Sequence, residues 1–493
     1  MASQEVQQPH FIFIPFLAQG HMIPMMDMAR LFAKRGVIST ILTTSLNAAR
    51  FKPVIDPAAE SGLPIRLIQL DFPWQEAGLP QGVENVDEID SMNQGRLFIP
   101  ALQLLQEQIE RFLKEDHQPV PSCMISDFCL PWTYDIACKL NIPRIAFHGM
   151  CSFSLLCRLN LRRYKPHEGV GSEFELFVLP GLPDKIEIFK AHLQDDVINK
   201  GNSEVTEMFD RFAEVDLKSY GVVINSFNEL ELEYVDYYKK ATGIKVWTIG
   251  PVSLCNKERS DKAQRGNKAV IDAKTCLNWL DSKKSKSVLY SCFGSISRLT
   301  PAQLREIALG LEASDQPFVL VIRKCERIAE VEKWLSAGFE ERVKERGLIV
   351  RGWAPQTLIL SHPSVGGFLT HCGWNSTMEG ICAGLPLITW PQFGEQFLNE
   401  KLIVNVLKIG VSIGVEAALK WFEEEKNVLV KMEVVKKAVE RLMGSDNEAE
   451  ERRMRARELA ESARKTMEEG GSSYNNMTLL IEDIMEQTRQ KME

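Results

Sequence analysis

Short apolar runs of strand length alternate with longer amphipathic stretches along this chain. Phe11 to Phe16 is an apolar run, Ala18-Gln-Gly-His reads as a turn, and Met22, Met25, Met26, Ala29, Phe32 and Ala33 then recur at helical spacing, with Asp27, Arg30, Lys34 and Arg35 on the other side. Pro24 suits the first turn of that helix, where an amide has no intrahelical partner to lose. Gly36 stops the helix and Val37 to Thr43 is the next run, so the opening is a β-α-β unit. The pattern recurs: Cys123-Met-Ile-Ser precedes Asp127, Pro131 opens a helix with Trp132, Ile136, Ala137 and Leu140 on one face, Pro143-Arg-Ile-Ala-Phe-His returns as a strand, and Gly221-Val-Val-Ile-Asn closes the series. Strands alternating with helices predict a parallel sheet covered on both faces.

After Val246-Trp-Thr-Ile-Gly-Pro251 the composition changes. Asn256 to Asn267 is polar and charged with almost nothing to bury, and reads as a linker. Val288-Leu-Tyr-Ser-Cys-Phe, Phe318-Val-Leu-Val-Ile, Leu348-Ile-Val, Val365 to Thr370 and Leu385 to Trp390 are then apolar runs separated by helical segments, a second doubly wound unit. Glu448 to Glu469 is a charged, solvated helix, and the next helix keeps Met477, Leu480, Ile481 and Ile484 on one side, so it docks on something. The expected division is residues 1–252, a linker at 253–272, a second domain at 273–468 and a helix at 469–493.

Composition narrows the class. In 493 residues, 45% apolar and 25% charged, Lys+Arg 58 against Asp+Glu 66 leave a net charge of −8, which is globular and argues against a nucleic-acid partner. Eleven scattered Cys without a C-x-x-C pair read as reduced thiols of a cytoplasmic protein. The opening MASQEVQQPH lacks the basic region of a signal peptide, and there is no uninterrupted apolar run of about 18 residues to span a membrane.

In open α/β sheets ligands bind beyond the carboxyl ends of the strands. His21 follows the first strand and Asp127 ends another, and a histidine oriented by a carboxylate can act as a general base. Neither G-x-S-x-G, H-E-x-x-H, G-x-G-x-x-G after the first strand nor G-x-x-x-x-G-K-[ST] is present, which disfavours hydrolases, zinc proteases, dinucleotide oxidoreductases and P-loop kinases. The densest signal lies further on. Thr370 and His371 end a strand, Gly373 lets a ligand approach the backbone, and Asn375-Ser-Thr begins a helix whose free N–H groups, beside His371, Asn375 and Ser376, suit a diphosphate. Glu379, one turn on, can accept from ribose hydroxyls; Trp353 offers a flat face to a base; Glu395 and Gln396 suit sugar hydroxyls. Singly, Trp353 could be core, Asn375 and Ser376 plain helix caps and Glu395 a solvated helix residue. Gathered at strand ends in one window, they point to a nucleotide sugar.

The span Trp353 to Gln396, with His371-Cys-Gly-Trp-Asn-Ser376 intact, resembles the signature box of the plant family of UDP-sugar-dependent glycosyltransferases that modify small molecules, and the resemblance covers nearly the whole chain. It implies the GT-B fold: two facing Rossmann-like α/β domains, acceptor on the first and donor on the second, with a C-terminal helix crossing back. It assigns Trp353 to stacking on uracil, the Ala354 backbone to its edge, Gln356 and Glu379 to ribose, and His371, Asn375, Ser376 and Ser295 to the diphosphate. Trp374, Glu395 and Gln396 would contact the sugar, Gln396 favouring UDP-glucose as donor co-substrate, with Glu395 standing where Asp is commoner. His21 would be the base and Asp127 its partner, in an inverting transfer that gives a β-glucoside. No D-x-D motif is present, so neither a metal nor a resident cofactor is expected. Phe16, Met22, Phe128, Phe147, Met150, Phe153 and Phe393 are expected near the cleft, fitting a large apolar acceptor. Pro15-Phe-Leu-Ala-Gln-Gly-His-Met-Ile-Pro-Met25 resembles the branch acting on triterpenoids, steroids and flavonoids. The alternatives are another UDP-sugar (glucuronate, galactose or xylose) or a non-catalytic binder of nucleotide sugars or lipophiles. A monomer is expected.

Overall fold

The computed structural model describes residues 8–115, 119–198, 204–296, 299–323, 326, 329–419 and 429–492. Most of the opening MASQEVQQPH, read above as no signal peptide, lies outside them.

The first half carries strands β1 (His10–Ile14), β2 (Ile38–Thr44), β3 (Ile65–Leu70), β4 (Cys123–Asp127), β5 (Arg144–His148), β6 (Leu176–Leu179), β7 (Ile186–Phe189), β8 (Gly221–Ile224) and β9 (Lys245–Thr248). Seven of them form one parallel sheet in the order β3-β2-β1-β4-β5-β8-β9, while β6 and β7 pair as an antiparallel hairpin outside it. β1, β4 and β5 are buried along their whole length, as continuous apolar strands covered on both faces must be. The second half carries β10 (Val288–Cys292), β11 (Phe318–Ile322), β12 (Gly347–Arg351), β13 (Val365–Thr370), β14 (Leu387–Thr389) and β15 (Gly410–Ser412), parallel in the order β12-β11-β10-β13-β14-β15. Strand order reverses between β1 and β4 in one sheet and between β10 and β13 in the other. The loops after these four strands open the crevice where such sheets bind ligands.

The GT-B architecture expected above is the one observed. The helix Ser472–Met492 returns to the first sheet: Asn476 Nδ2 donates to Thr248 O at 2.9 Å, Lys245 Nζ meets Asp483 at 2.7 Å, and the Arg35 guanidinium lies over the Tyr474 ring. Met477, Leu480 and Ile484 join the first half's hydrophobic core. The segment read as a bare linker is more structured than its composition promised. It holds a short helix at Arg259–Ala263, and Asn256 and Gly266 are buried. Its side chains are satisfied by ion pairs and hydrogen bonds, which hydropathy does not register. Among the described residues no helix is long and apolar enough to cross a membrane.

Candidate active site

The helix after β1 begins at Gln19, two residues before His21, so the stretch read as a turn is already helical: the Ala18 carbonyl accepts from both His21 N and Met22 N at 2.9 Å. Pro24 therefore lies past the first turn. It has no N–H to give the carbonyl four residues back, that of Gly20, and this carbonyl instead accepts from Asn375 Nδ2 across the crevice. A proline inside the helix thus frees an acceptor that joins the two halves beside His21.

His21 Nδ1 lies 2.7 Å from Asp127 Oδ2. The carboxylate is fully buried and the imidazole about a quarter exposed. Burial alone would lower the imidazole pKa, but the charge and hydrogen bond of Asp127, with the charge of Glu395 adding, raise it above its ordinary 6.5. Asp127 Oδ1 accepts from Cys129 N at 3.0 Å, and the buried Arg144 guanidinium donates to the Asp127 carbonyl at 3.1 Å, to Ser126 Oγ at 2.8 Å and to Ser219 Oγ at 2.7 Å. The end of β4 is held from three sides. Cys129, the third possible metal ligand beside this pair, has its thiol pKa pushed well up by burial, which makes it a poor ligand.

On the other side of the crevice His371 sits between Gly294, after β10, and Gly373, after β13; a Cβ at either glycine would collide with the imidazole. Burial, with the charge of Arg323 adding, pushes the His371 pKa down to about 4, so the ring is neutral, and its buried Nδ1 has no hydrogen-bond partner. Cys372 turns the chain at φ 65° with its carbonyl held by Asn399 Nδ2 at 2.8 Å. The helix Trp374–Cys382 starts there, capped by Gly373 with no side chain on its first amides. Asn375 and Ser376 are therefore not its caps. The first-turn amides point out of the helix end, where an anion is favoured.

The remaining candidates converge on this helix. Gln356 Nε2 donates to Glu379 Oε2 at 2.8 Å and to Ser376 Oγ at 3.1 Å, and Tyr290 Oη donates to Gln356 Oε1 at 3.3 Å. Ala354 is buried; Trp353 is partly buried and packs against the first half's core. Ser295 follows Gly294 in the loop after β10. Gln396 Oε1 accepts from Gln392 N and Phe393 N, at 2.8 and 3.2 Å, which leaves its amide nitrogen for other contacts. Burial raises the Glu395 carboxyl pKa against the opposing charges of Arg158 and His21. The Trp374 indole is buried, and its Nε1 donates to Asn225 O at 2.8 Å.

Of the apolar residues expected near the cleft, Met22, Phe147 and Phe153 are fully buried core instead. Phe128 stacks between His21 and His148, with ring centroids 6.2 and 4.7 Å away. Sequence reasoning missed Asn225, Arg144 and Arg265. Asn225 directly follows β8, much as Asp127 closes β4, and that position was its only signal. Arg144 looked like any charge opening a strand, and Arg265 like any charge in a linker.

Comparison with known proteins agrees with this geometry. Residues 266–424 match the family described as UDP-glucoronosyl and UDP-glucosyl transferase. UDP-glycosyltransferase 73C5 of Arabidopsis thaliana is 56% identical over 97% of each chain, and UDP-glycosyltransferase 73C25 of Barbarea vulgaris is 55% identical over 97% of this chain and 96% of its own. Glycyrrhiza uralensis UGT73P12, solved with glycyrrhetinic acid 3-O-monoglucuronide, superposes with a TM-score of 0.92 at 40% identity, covering 99% of this chain and 97% of its own. Arabidopsis thaliana UGT89C1, solved with UDP-L-rhamnose, gives 0.74 at 29% identity over 97% and 100% of the two chains. With two facing parallel sheets, a His–Asp pair at one switch point and a bare helix N-terminus at the other, the chain belongs to the plant UDP-glycosyltransferase family, enzymes that transfer sugar from a UDP-sugar to small molecules.

Proposed function

We propose that the protein transfers glucose from UDP-glucose to a hydroxyl or carboxyl of an apolar small molecule of the triterpenoid, steroid or flavonoid class, with inversion to a β-glucoside. Residues 1–252 bind the acceptor and 273–468 the donor. Asp127 engages Nδ1 of His21, which leaves Nε2 to take the acceptor proton as the acceptor oxygen attacks the anomeric carbon. The bond from that carbon to the diphosphate oxygen breaks, the electron pair leaves on UDP, and the imidazolium is stabilised by Asp127. The charge gathering on the diphosphate is met by the first amides of the helix Trp374–Cys382, by neutral His371 and by Ser295, Asn375 and Ser376. Because these groups stabilise the anion by directed N–H and O–H donors and the helix dipole, the reading needs no metal.

Trp353 and the Ala354 backbone take the uracil, Gln356 and Glu379 the ribose, and Glu395 with the Gln396 amide nitrogen the glucose hydroxyls. The Trp374 contact falls to its main-chain amide, since its indole N–H is already bonded. The apolar acceptor is supported by Phe16 and Phe128, whose rings both neighbour the His21 ring, and by the polycyclic glucuronide in the solved relative. The observation that carries the reading is the His21–Asp127 pair, with its raised imidazole pKa, tied through Gly20 to Asn375 at the anion-binding helix end.

The test offers UDP-glucose, UDP-galactose, UDP-glucuronate and UDP-xylose with a mixed panel of phenols and triterpenoids, and reads products by mass spectrometry. A hexosylated product from UDP-glucose is expected; a product carrying only another sugar overturns the donor assignment. His21→Ala should bind UDP normally and lose transfer. Weaker UDP binding with unchanged turnover would remove His21 from the chemistry.

A further inference from the structure

Arg265, in the segment between the two sheets, carries a guanidinium that is 9% exposed and bridges two carboxylates from opposite halves of the molecule. Its Nε donates to Asp27 Oδ2 at 2.8 Å, in the helix that begins beside His21. Its Nη1 donates to Glu379 Oε1, in the helix that faces the donor. Asp27 is fixed in turn, its Oδ1 accepting from Asn256 Nδ2 at 2.9 Å, while Arg30 reaches Asn256 Oδ1 at 2.6 Å and Asp261 Oδ2 at 3.1 Å. The neighbouring chain is seated just as firmly. Val270 N donates to the Trp353 carbonyl at 3.0 Å, and Gly266, at φ +89°, lies so close to the Trp353 indole that a Cβ there would come within 2.5 Å of it.

We propose that Arg265 is a positioning residue for the donor: it acts through Glu379, holding that carboxylate as an oriented anion for the ribose hydroxyls and fastening it to the His21 helix. The inference rests on the reading of Trp353 and Glu379 as the nucleoside-binding pair. The Glu379 side chain is only 6% exposed, so little water reaches its oxygens and the donors packed around it set where they point. A carboxylate has about four lone-pair sites, and Arg265 and Gln356 take one each on different oxygens, which leaves acceptors for both hydroxyls. The forked guanidinium meets Asp27 through Nε and Glu379 through Nη1 in two fixed directions, which a lysine ammonium, a compact charge on a flexible stem, reproduces only in part.

The experiment measures UDP and 2′-deoxy-UDP by calorimetric titration of wild type, Arg265→Met, Arg265→Lys, Glu379→Gln and the Arg265→Met/Glu379→Gln double variant, with thermal melts confirming that each is folded. Wild type should prefer UDP to 2′-deoxy-UDP. Arg265→Met should weaken UDP on the order of tenfold and collapse that preference, Arg265→Lys should recover part of it, and the double variant should lose no more than Glu379→Gln alone. Equal weakening of both nucleotides, a full additional loss on the Glu379→Gln background, or tighter UDP binding would overturn the proposal. A folded wild type that binds neither nucleotide would instead overturn the donor-site reading beneath it.

Discussion

Asp127→Asn isolates the work of one charge. The carboxylate is fully buried and 2.7 Å from His21 Nδ1, so water screens the pair little. At an effective dielectric of about 20, unit charges 3–4 Å apart interact by about 4–6 kcal/mol. The asparagine dipole recovers part of this, but its amide can also donate to Nδ1, which would place the imidazole proton on Nε2 and turn the base into a donor. A net loss of about 3–5 kcal/mol in the transition state lowers kcat by roughly 10²–10⁴-fold. The pH profile adds a sign. In the proposed role as base His21 must be neutral, and Asp127 holds the imidazole pKa above 6.5, so wild-type kcat/KM should rise through an acid limb above 6.5. Without the carboxylate, burial is the dominant influence left and it lowers the pKa, so the limb should move below 6.5 while the plateau falls. Initial rates from pH 5 to 9 with saturating donor, and UDP affinity by titration, separate the outcomes. An acid limb that stays where it was, or a loss confined to donor affinity, would refute the assignment of Asp127 as the partner of the base.

Trp353→Ala should weaken UDP by about 1–3 kcal/mol if the indole stacks on the base, read as a rise in Kd with kcat at saturating donor nearly unchanged. Acid should destabilise the fold through two buried imidazoles, His192 and His371, each pushed from 6.5 down to about 4. A pKa lower in the folded than in the unfolded chain leaves stability intact above about 6.5 and erodes it as pH falls towards 4, by up to about 3 kcal/mol each. Thermal melts against pH should show this, and His371→Gln should flatten the profile between pH 6.5 and 4. Leu480→Ala removes a fully buried side chain where the returning helix meets the first core and should cost about 2–5 kcal/mol in urea unfolding, whereas the exposed Leu479→Ala should cost little.

The sheets were legible because buried parallel strands such as β1, β4 and β13 are continuous apolar runs, and their switch points then located His21, Asp127 and His371. What escaped was whatever periodicity cannot carry. Arg265 lies in a segment whose low hydropathy suggested solvent, yet charges can be buried when they are paired, and no local pattern reveals a partner more than a hundred residues away. The helix start at Gln19 was misplaced because Pro24 suits a first turn, while the structure tolerates it deeper by giving the freed Gly20 carbonyl to Asn375. Trp374 fell within the right motif, but its ring direction follows from Asn225, a tertiary neighbour. Cys372, uninformative as a thiol, occupies a left-handed backbone position that sharpens the turn into the helix Trp374–Cys382.

The return of the helix Ser472–Met492 to the first sheet also bears on how the protein is made. β9, the edge strand it covers, ends at Thr248, so the ribosome must add more than two hundred residues before that surface can be closed. At about 5–20 residues per second, the first domain spends roughly ten to fifty seconds with the bed for Met477, Leu480 and Ile484 uncovered. The second domain can meanwhile fold from its own local βα units. The domain synthesised first is thus the one completed last, and during that interval the apolar surface that Met477, Leu480 and Ile484 will bury is open to a chaperone.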